Sequence, residues 1–393
     1  MRVLLSTIGS RGEVQPVLAL ASELRALGQD VRLCVPPDFR DWLSGLGFAV
    51  TPIGPELRGR GRPAAGDLRR LAEETVAAQF VTVAEAAEGC DVIVAAGALQ
   101  LAARSIAERL GVAYVYASFC PITLPSERHS PPPMPWRSAD TPRARWAEDA
   151  RHLNATFGPT LNAHRVASGL APVDELQSHV FTDRPWLAAD AALAPWPGPA
   201  GVVQTGAWIH PDSRPLPEEV REFLDAGEPP VYFGFGSMSA EAGLAEAMLA
   251  AARAHGRRAI IARGWADLAV ADAAPDCLGI GEINQQALFP RVAAAVHHGG
   301  AGTTTTAARA GAAQVVAPRM YDQFSFADRV RDLGIGAAHA PGALTAESLA
   351  AALGTALAPQ VAARAREFAG RVRVDGASVA AQRLLTTAPV ASA

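Results

Sequence analysis

The sequence predicts an α/β protein made of two doubly wound parallel-sheet domains, and three observations carry this prediction. The 393 residues exceed what one hydrophobic core usually supports. Short β-rich runs alternate with helical patterns, which is typical of βαβ units and a parallel sheet. The alternation stops in a proline-rich stretch at residues 211–230 and then restarts, which indicates a second sheet.

The first domain is predicted over residues 1–210. Its elements in order are strand Val3–Ser6, helix Val14–Leu27, strand Val31–Val35, helix Phe39–Ser44, strand Phe48–Pro52, strand Asp91–Ala95, helix Leu99–Leu110 and strand Ala113–Ala117. A segment rich in proline and charge, Pro121–Arg145, then interrupts the pattern. We interpret it as a functional loop, because long structureless connections in compact domains usually carry function.

A linker with a short charged helix is predicted over residues 211–230, because five prolines lie there. The second domain is predicted over residues 231–375. Its strands are Val231–Phe235, Arg258–Ala262, Ala294–His297 and Gln314–Val316. The tail is mostly helical, and residues 376–393 are predicted to form a C-terminal helix and tail that packs back on the N-terminal domain.

Composition and charge exclude two classes of partner. The formal net charge is −4, and no basic run could neutralise the phosphates of nucleic acid or anionic lipid. Four scattered cysteines match neither a zinc site nor a disulfide scaffold. No apolar run is long enough to span a bilayer. We therefore expect a cytoplasmic protein with free thiols that binds neither nucleic acid nor a membrane.

The sharpest chemical signal is a glycine-rich turn after a predicted strand and before a helix, His297-His298-Gly299-Gly300-Ala301-Gly302-Thr303-Thr304. Glycines let the backbone approach a ligand, and N–H groups at a helix N-terminus favour an anion. His298 could hydrogen-bond or neutralise a departing diphosphate. The alternative is a plain turn with a buried histidine, but the paired histidines and the threonine run favour an anion site.

A second glycine turn, Gly9-Ser10-Arg11-Gly12-Glu13, follows the first predicted strand. It therefore lies at the carboxyl edge of the N-terminal sheet, where open α/β folds bind ligands. Glu13 falls in the first helical turn. It is either a catalytic group or a carboxylate that only complements the helix dipole, and the residues alone leave these alternatives equal.

Two further turns follow strands of the second domain. Asp322 and Gln323 could hydrogen-bond the hydroxyls of a sugar, although locally Asp322 fits better as the N-cap of the helix Phe324–Asp332. The segment Gly234-Phe235-Gly236-Ser237-Met238-Ser239 is a strand-to-helix turn. Its Ser237 could reach a phosphate or form an ordinary cap.

Together these elements resemble a known family. The chain is similar to the GT-B, family 1 nucleotide-sugar glycosyltransferases, and within them to the actinobacterial enzymes that decorate antibiotics such as vancomycin-type glycopeptides. The matching segments, spread over essentially the whole chain, are VLLSTIGSRGEVQP, LPSERHSPPPMPW, GFGS, RGWADL, EINQQALFP, HHGGAGTTT and the pair DQ. The resemblance implies two Rossmann-like domains facing across a cleft, a monomer, and inverting transfer from a nucleoside diphosphate sugar to a hydroxyl of a glycopeptide or polyketide aglycone.

The resemblance also implies roles for residues that match the family's motifs. Glu13 would be the catalytic base, and His298 would stabilise the leaving diphosphate. The residues implied for diphosphate binding are Ser10, Ser237, His298, Gly299, Gly300, Gly302 and Thr303. Those implied for the nucleobase are Trp265, Ile283 and Gln285, and those implied for the sugar are Asp322 and Gln323.

Two positions depart from the family's pattern. Antibiotic members usually carry Asp and plant-type members His where this chain has Glu13, which is one methylene longer than Asp but chemically equivalent as a base. Thr306 stands where plant-type relatives hold the ribose of UDP with a carboxylate, which favours a TDP donor and leaves UDP as the alternative. The chain has no Asp-x-Asp triplet. We therefore expect neither a metal-bridged diphosphate nor a cofactor.

Acceptor recognition is predicted for the first domain, in the loops Gly54–Asp67 and Pro121–Arg145. The apolar residues of the second loop are Pro131, Pro132, Pro133, Met134 and Trp136. They offer a stiff surface suited to a large, partly aromatic aglycone. The alternative is a disordered connector.

Two other functions stay open on the sequence alone. A nucleotide-sugar epimerase would bind the same donor on the same fold but would need no acceptor loop. A non-catalytic homologue would activate a partner transferase, and Glu13 in place of Asp is the only feature that favours it. An NAD dehydrogenase is disfavoured, because neither glycine turn has the full dinucleotide fingerprint with its acidic partner.

Overall fold

The computed structural model describes most of the chain. The described residues are 1–59, 67–238, 243–265, 267–268 and 274–387. Three sequence predictions fall partly outside them: the middle of the loop Gly54–Asp67, the end of the glycine turn at Ser239, and the tail after residue 387.

The chain divides into two compact units. The first contains Met1–Asp190, Pro195–His210 and the C-terminal residues from Val374 onward, and the second contains Ala191–Ala194 and Pro211–Arg373. The segment predicted as a linker lies in the second unit, where Val220 and Leu224 pack in a buried cluster with Ile260 and Phe289.

The first unit has a seven-stranded sheet in the described residues, with each neighbouring pair parallel and the order β3-β2-β1-β4-β5-β6-β7. Its strands are β1 (Arg2–Thr7), β2 (Asp30–Val35), β3 (Ala49–Pro52), β4 (Val92–Ala96), β5 (Ala113–Ser118), β6 (Trp186–Leu187) and β7 (Val203–Gln204). Its helices are α1 (Arg11–Ala26), α2 (Arg40–Gly45), α3 (Leu68–Ala86), α4 (Ala103–Leu110), α5 (Pro142–Ala167) and α6 (Leu176–Phe181).

The second unit has a six-stranded parallel sheet in the described residues, with the order β10-β9-β8-β11-β12-β13. Its strands are β8 (Val231–Gly234), β9 (Ala259–Ala262), β10 (Cys277–Ile280), β11 (Ala294–His297), β12 (Ala313–Val316) and β13 (Gly336–Ala338). Its helices are α7 (Glu218–Asp225), α8 (Leu244–Arg253), α9 (Gln285–Leu288), α10 (Ala301–Ala310), α11 (Gln323–Asp332), α12 (Ala346–Ala356) and α13 (Pro359–Ala369). The last helix, α14 (Gly376–Thr387), belongs to the first unit and packs against α1.

The predicted fold class, two doubly wound parallel sheets, is confirmed. Both sheets begin with the strand order third, second, first, fourth, so each has a switch point between its first and fourth strands. Open sheets bind ligands just outside the carboxyl ends of the strands at such a point. The loops that follow β1 and β4, and those that follow β8 and β11, are therefore the places to look for chemistry.

One helix prediction and one loop prediction need correction. The helix predicted from Leu99 begins only at Ala103, because Gln79 donates from Nε2 to Leu99 O at 2.9 Å and accepts the N–H of Ala102 at 2.9 Å, which holds the intervening backbone as a loop. The predicted loop Pro121–Arg145 ends early, because α5 begins at Pro142. Few apolar positions mark that helix in the sequence.

Two expectations about the chain as a whole can be compared with the structure. The four cysteines are free thiols, three of them buried. Within the described residues, no helix combines the length and the apolar character needed to cross a bilayer.

Candidate functional site

The carboxylate of Glu13 lies in a niche at the switch point of the first sheet. Glu13 is in the first turn of α1, and its N–H donates to Ser10 O at 2.9 Å. Its side chain turns back over the strand ends, since a methyl group at Gly9 would lie 1.3 Å from Oε2 and one at Gly97 would lie 2.4 Å from Oε1. Gly9 follows β1 and Gly97 follows β4, so glycine at both positions leaves the room that the carboxylate occupies.

Gly97 is a part of this niche that sequence reasoning missed. It adopts a φ of +89°, which favours glycine, and directly follows a fully buried strand. Thr7 Oγ1 lies 3.5 Å from the position of a Gly97 Cβ, and this buried hydroxyl has no hydrogen-bond partner in the described residues. A glycine after the fourth strand was the available signal, because that loop must meet the turn after β1 at the switch point.

His298 holds the corresponding position in the second unit. It follows β11 and lies against the turn after β8, since a methyl group at Gly236 would be 3.3 Å from its Cε1. Burial lowers the pKa of His298 to about 4, so the ring is neutral near pH 7. Its Nδ1 is buried and has no hydrogen-bond partner among the described residues. In the absence of a bound anion the ring can therefore act as a hydrogen-bond donor but not as a fixed positive charge.

The N-terminus of α10 follows His298 directly. Gly300 is the N-cap residue and offers no side chain to the helix. The first N–H groups of a helix lack intrahelical partners, and they and the helix dipole favour an anion. Thr304 and Thr305 donate back to the carbonyls of Gly300 and Ala301, whereas the Thr303 hydroxyl makes no hydrogen bond within the described part of the chain.

The turn after β8 brings a serine to the same edge. Ser237 is exposed directly after Gly236, which packs against His298, and β8 is the neighbour of β11. Ser237, His298 and the α10 N-terminus are therefore grouped at the switch point of the second sheet. Ser10, the remaining residue predicted to bind diphosphate, is the N-cap of α1 in the first unit.

The predicted sugar-binding pair divides into two different roles. Asp322 is the N-cap residue of α11 but makes no capping hydrogen bond with its side chain, and no other side chain of the described residues pairs with it. Burial raises its pKa to about 6. Gln323 instead uses Oε1 to accept the N–H groups of Arg319 and Met320, at 2.9 and 3.1 Å. Gln323 thus holds the loop after β12, while the carboxylate of Asp322 has its own backbone N–H but no side chain of the described residues as a partner.

The three residues predicted to hold the nucleobase follow β9 and β10. The backbone N–H of Trp265 donates to Gly236 O at 2.9 Å, which holds this segment against the turn after β8. Ile283 packs against the buried cluster of the unit, and Gln285 donates from Nε2 to the buried Tyr232 hydroxyl at 3.2 Å. All three lie at the carboxyl edge, but Gln285 already has a partner inside the protein.

The predicted acceptor loop begins near the carboxyl end of β5 and is held against α5. Pro131 and Pro132 are buried, and Met134 is partly exposed. Trp136 stacks on His152 with ring centres 3.9 Å apart, and its Nε1 donates to Asp149 at 3.4 Å. The loop is therefore anchored by specific contacts, which argues against the disordered-connector alternative, although one face of Trp136 is covered by His152.

Comparison with known proteins agrees with this geometry. Residues 3–127 match the glycosyltransferase family 28 N-terminal domain, and residues 248–381 match the erythromycin biosynthesis protein CIII-like C-terminal domain. The chain is 50% identical to vancomycin aglycone glucosyltransferase of Amycolatopsis orientalis, over 98% of this chain and 97% of that protein. It is 45% identical to dTDP-epi-vancosaminyltransferase of the same organism, over 93% of this chain and 92% of that one.

The fold is also that of a solved glycosyltransferase. The crystal structure of VinC in complex with dTDP superimposes with a TM-score of 0.72 at 20% identity and covers 99% of each chain. At that identity the likeness shows the fold alone, whereas the matches at 45% and 50% identity show the family. The chain is therefore a GT-B nucleotide-sugar glycosyltransferase and belongs to the family of the vancomycin-type antibiotic glycosyltransferases.

Proposed function

We propose that the protein transfers a sugar, with inversion and without a metal ion, from a nucleoside diphosphate to a hydroxyl group of a glycopeptide aglycone. The single observation that carries this proposal is the turn at His298. There an imidazole, the uncapped N-terminus of α10 and the Thr303 hydroxyl supply hydrogen-bond donors at one sheet edge. Donors of this kind stabilise the charge of a departing diphosphate without a cation.

The order of the strands supports a donor site in the second unit. The nucleobase residues follow β10 and β9, the phosphate residues follow β8 and β11, and the sugar residue Asp322 follows β12. Nucleobase, diphosphate and sugar are joined in that same sequence in a nucleoside diphosphate sugar. A donor lying along the carboxyl edge would therefore meet each predicted group in turn.

Asp322 supports the sugar end of this site. Its carboxylate loses hydration through burial, which raises its pKa to about 6, and it gains no side-chain partner in the described residues. Such a group gains hydrogen bonds when sugar hydroxyls arrive, because a desolvated carboxylate accepts strongly from O–H donors. Gln323 contributes mainly by holding the loop that presents Asp322.

The proposed reaction uses one group from each unit. Glu13 takes the proton of the acceptor hydroxyl. The oxygen of that hydroxyl forms a bond to one face of the anomeric carbon. The bond from that carbon to the diphosphate oxygen breaks on the opposite face, and the electron pair leaves with the diphosphate. The α10 N–H groups and His298 receive the developing charge. A positioned general base is worth roughly a hundred- to ten-thousandfold in rate.

The relatives support the choice of donor and acceptor. One is named as a glucosyltransferase of the vancomycin aglycone and another as a dTDP-sugar transferase. Thr306, at the position where a carboxylate would bind ribose hydroxyls, also favours TDP over UDP. We therefore propose a glycopeptide aglycone as the acceptor, glucose as the first sugar to test, and TDP as the nucleotide.

The proposal is tested by incubating the purified protein with a vancomycin-type aglycone and TDP-glucose or UDP-glucose, with and without EDTA. We expect mass spectrometry to show an adduct of one hexose, formed equally with the chelator, and NMR to show an inverted anomeric centre. No adduct with either donor, or retention of configuration, would contradict the proposed transfer. Activity that EDTA abolishes and a divalent cation restores would contradict metal independence.

A control without aglycone and a second incubation with a partner protein test the two alternatives left open by the sequence. A new sugar isomer formed from the donor alone would identify an epimerase. Transfer that requires a second protein would identify an auxiliary homologue. The position of Glu13 favours a catalytic protein over an auxiliary homologue, because glycine at positions 9 and 97 leaves room for its carboxylate.

A further inference from the structure

His297, the first histidine of the paired sequence, makes two hydrogen bonds inside the second unit. The side chain is completely buried on β11. Its Nδ1 accepts the N–H of Gly299 at 3.1 Å, and its Nε2 lies 2.9 Å from Oε1 of Gln314 on the neighbouring β12. Both ring nitrogens are therefore used, and His297 does not face a ligand itself.

These bonds fix the form of the ring. Nδ1 must be unprotonated to accept from Gly299, so the proton is on Nε2 and is donated to Gln314. Burial lowers the pKa of His297 to about 3, with a smaller contribution from His298. The ring is therefore neutral at every pH well above 3. The acceptor at Nδ1 is thus permanent.

The bond to Gly299 has the same spacing along the chain as the hydrogen bond of an Asx turn. In that turn a side-chain acceptor of one residue takes the N–H of the residue two positions later. Here the acceptor is an imidazole nitrogen. It bends the chain immediately after the strand, so that His298 and Gly300 follow at the carboxyl edge of the sheet.

Gly299 is the residue that the bond holds in place. Its φ is +94°, and a methyl group there would lie 2.7 Å from Cγ1 of Val316 and 3.0 Å from the carbonyl oxygen of Gln323. The peptide is therefore pressed against the end of β12 and the start of α11. A shift of this peptide would move His298 on one side and the N-terminus of α10 on the other.

We propose that His297 is a positioning residue for the donor diphosphate, acting through its hydrogen bond to Gly299. The inference rests on the proposed function, because it takes the His298 turn as the diphosphate site. It also changes one assignment within that site. The N–H of Gly299 is committed to His297, so the diphosphate is held by the N–H groups that follow it and by His298.

Two substitutions of His297 test its two hydrogen bonds separately. Asn at this position places an acceptor near the location of Nδ1 and is a natural Asx-turn residue, but it lacks a group that reaches Gln314. Gln places its amide near the location of Nε2 and lacks the acceptor beside the backbone. His297→Asn and His297→Gln therefore each remove one buried hydrogen bond, and only His297→Gln removes the one to Gly299.

The measurements are the Kd of TDP by calorimetry, the donor KM and kcat, and the midpoint of thermal unfolding. We expect His297→Gln to raise the Kd and the donor KM about tenfold, the order expected for a misplaced hydrogen-bonded loop. His297→Asn should stay within about threefold of the wild type. Both variants should lose similar thermal stability. Affinity that instead falls equally in the two variants, in step with stability, would overturn the inference.

A second pair of measurements does not depend on folding of His297→Gln. Gln314→Leu removes the partner of Nε2 and leaves the Gly299 bond intact, so it should bind TDP within about threefold of the wild type. In the wild-type protein without nucleotide, the amide of Gly299 should exchange with solvent far more slowly than that of Gly302. Rapid exchange at Gly299, or loss of TDP binding in Gln314→Leu, would overturn the inference.

The control variant His298→Ala distinguishes this inference from the proposed function. If the wild type binds no TDP, or if His298→Ala binds it as tightly as the wild type, the proposed diphosphate site is wrong. If His298→Ala loses affinity while His297→Gln retains it, the site stands and only the role of His297 is wrong.

Discussion

The two switch-point turns have the same topology but differ in charge: the helix after the first has an acidic residue in its first helical turn, and the helix after the second does not. In each, a side chain proposed to act in the reaction lies against glycines of two neighbouring turns: Glu13 against Gly9 and Gly97, and His298 against Gly236 and Gly300. The first turn of α1 contains the carboxylate of Glu13, whereas the first turn of α10 contains no acidic residue.

Under the proposed mechanism, this difference gives the same position of the fold a different function in each unit. A helix N-terminus favours negative charge. In the first unit the protein supplies that charge itself, so the position can serve as a proton acceptor. In the second unit it does not, and the N-terminus of α10 is left for an anion of the substrate.

The largest effect should come from removing the charge of Glu13 without changing its shape. Glu13→Gln keeps the side chain in its niche but cannot take a proton, so kcat should fall roughly a hundred- to ten-thousandfold. Steady-state kinetics with saturating donor measure this. Glu23→Gln on the same helix is the matched control and should keep wild-type turnover. Wild-type turnover in Glu13→Gln would reassign the base.

An intermediate effect should come from the glycine that makes room for Glu13. Gly9 has no positive φ, so Gly9→Ala adds no backbone strain, but its methyl group would collide with Oε2. Displacing a reacting group by about 1 Å can cost on the order of a hundredfold in kcat. Gly12→Ala in the same turn would meet its nearest described neighbour, Ser10 Oγ, at 3.7 Å. Equal turnover in the two variants would show that the niche does not position the carboxylate.

The smallest effect should come from Asp322, where activity and stability move in opposite directions. Asp322→Asn should lower kcat/KM for the donor about tenfold through weaker hydrogen bonds to the sugar. It should also raise the unfolding midpoint by a few degrees at pH 8, because the buried carboxylate no longer has to ionise. Asp328→Asn on the exposed side of α11, which removes an ion pair to Arg331, is the control.

The stability gain of Asp322→Asn should depend on pH, because the pKa of Asp322 differs between the folded and the unfolded protein. The pKa of Asp322 is raised to about 6 in the folded protein, above its ordinary value of 3.8. Between these values the folded state binds more protons than the unfolded state, so stability falls as the pH rises. The stability gain of Asp322→Asn should therefore be complete above pH 6 and should vanish as the pH falls towards about 4. A gain that persists at low pH would contradict burial of a charge as its cause.

The fold class and the turns that hold the candidate groups could be predicted from the sequence because their signals are local. Strand β11 was predicted with its observed bounds, because the apolar residues Ala294, Ala295 and Val296 before the histidine are typical of a buried parallel strand. The glycine turns after β1, β8 and β11 are recognisable because glycine, histidine and threonine cluster there. Because the strands of each sheet are parallel, turns that follow them lie at the carboxyl edge of that sheet.

The contacts that complete the site were not predictable, because they join residues far apart in the chain. Gly97 meets Glu13 only when β1 and β4 become neighbours. The sequence predicts Gln323 as a sugar ligand, but it gives no signal that the side-chain Oε1 accepts the backbone N–H groups of Arg319 and Met320. The roles of His297 and Gln314 depend on the pairing of β11 with β12.

The most direct test of the central claim is a calorimetric titration of TDP into the wild type, Glu13→Gln and His298→Ala. If the first unit supplies the base and the second unit the diphosphate site, Glu13→Gln should bind TDP as tightly as the wild type. His298→Ala should bind it at least about tenfold more weakly. The reverse pattern, with binding lost in Glu13→Gln and kept in His298→Ala, would contradict this division of roles.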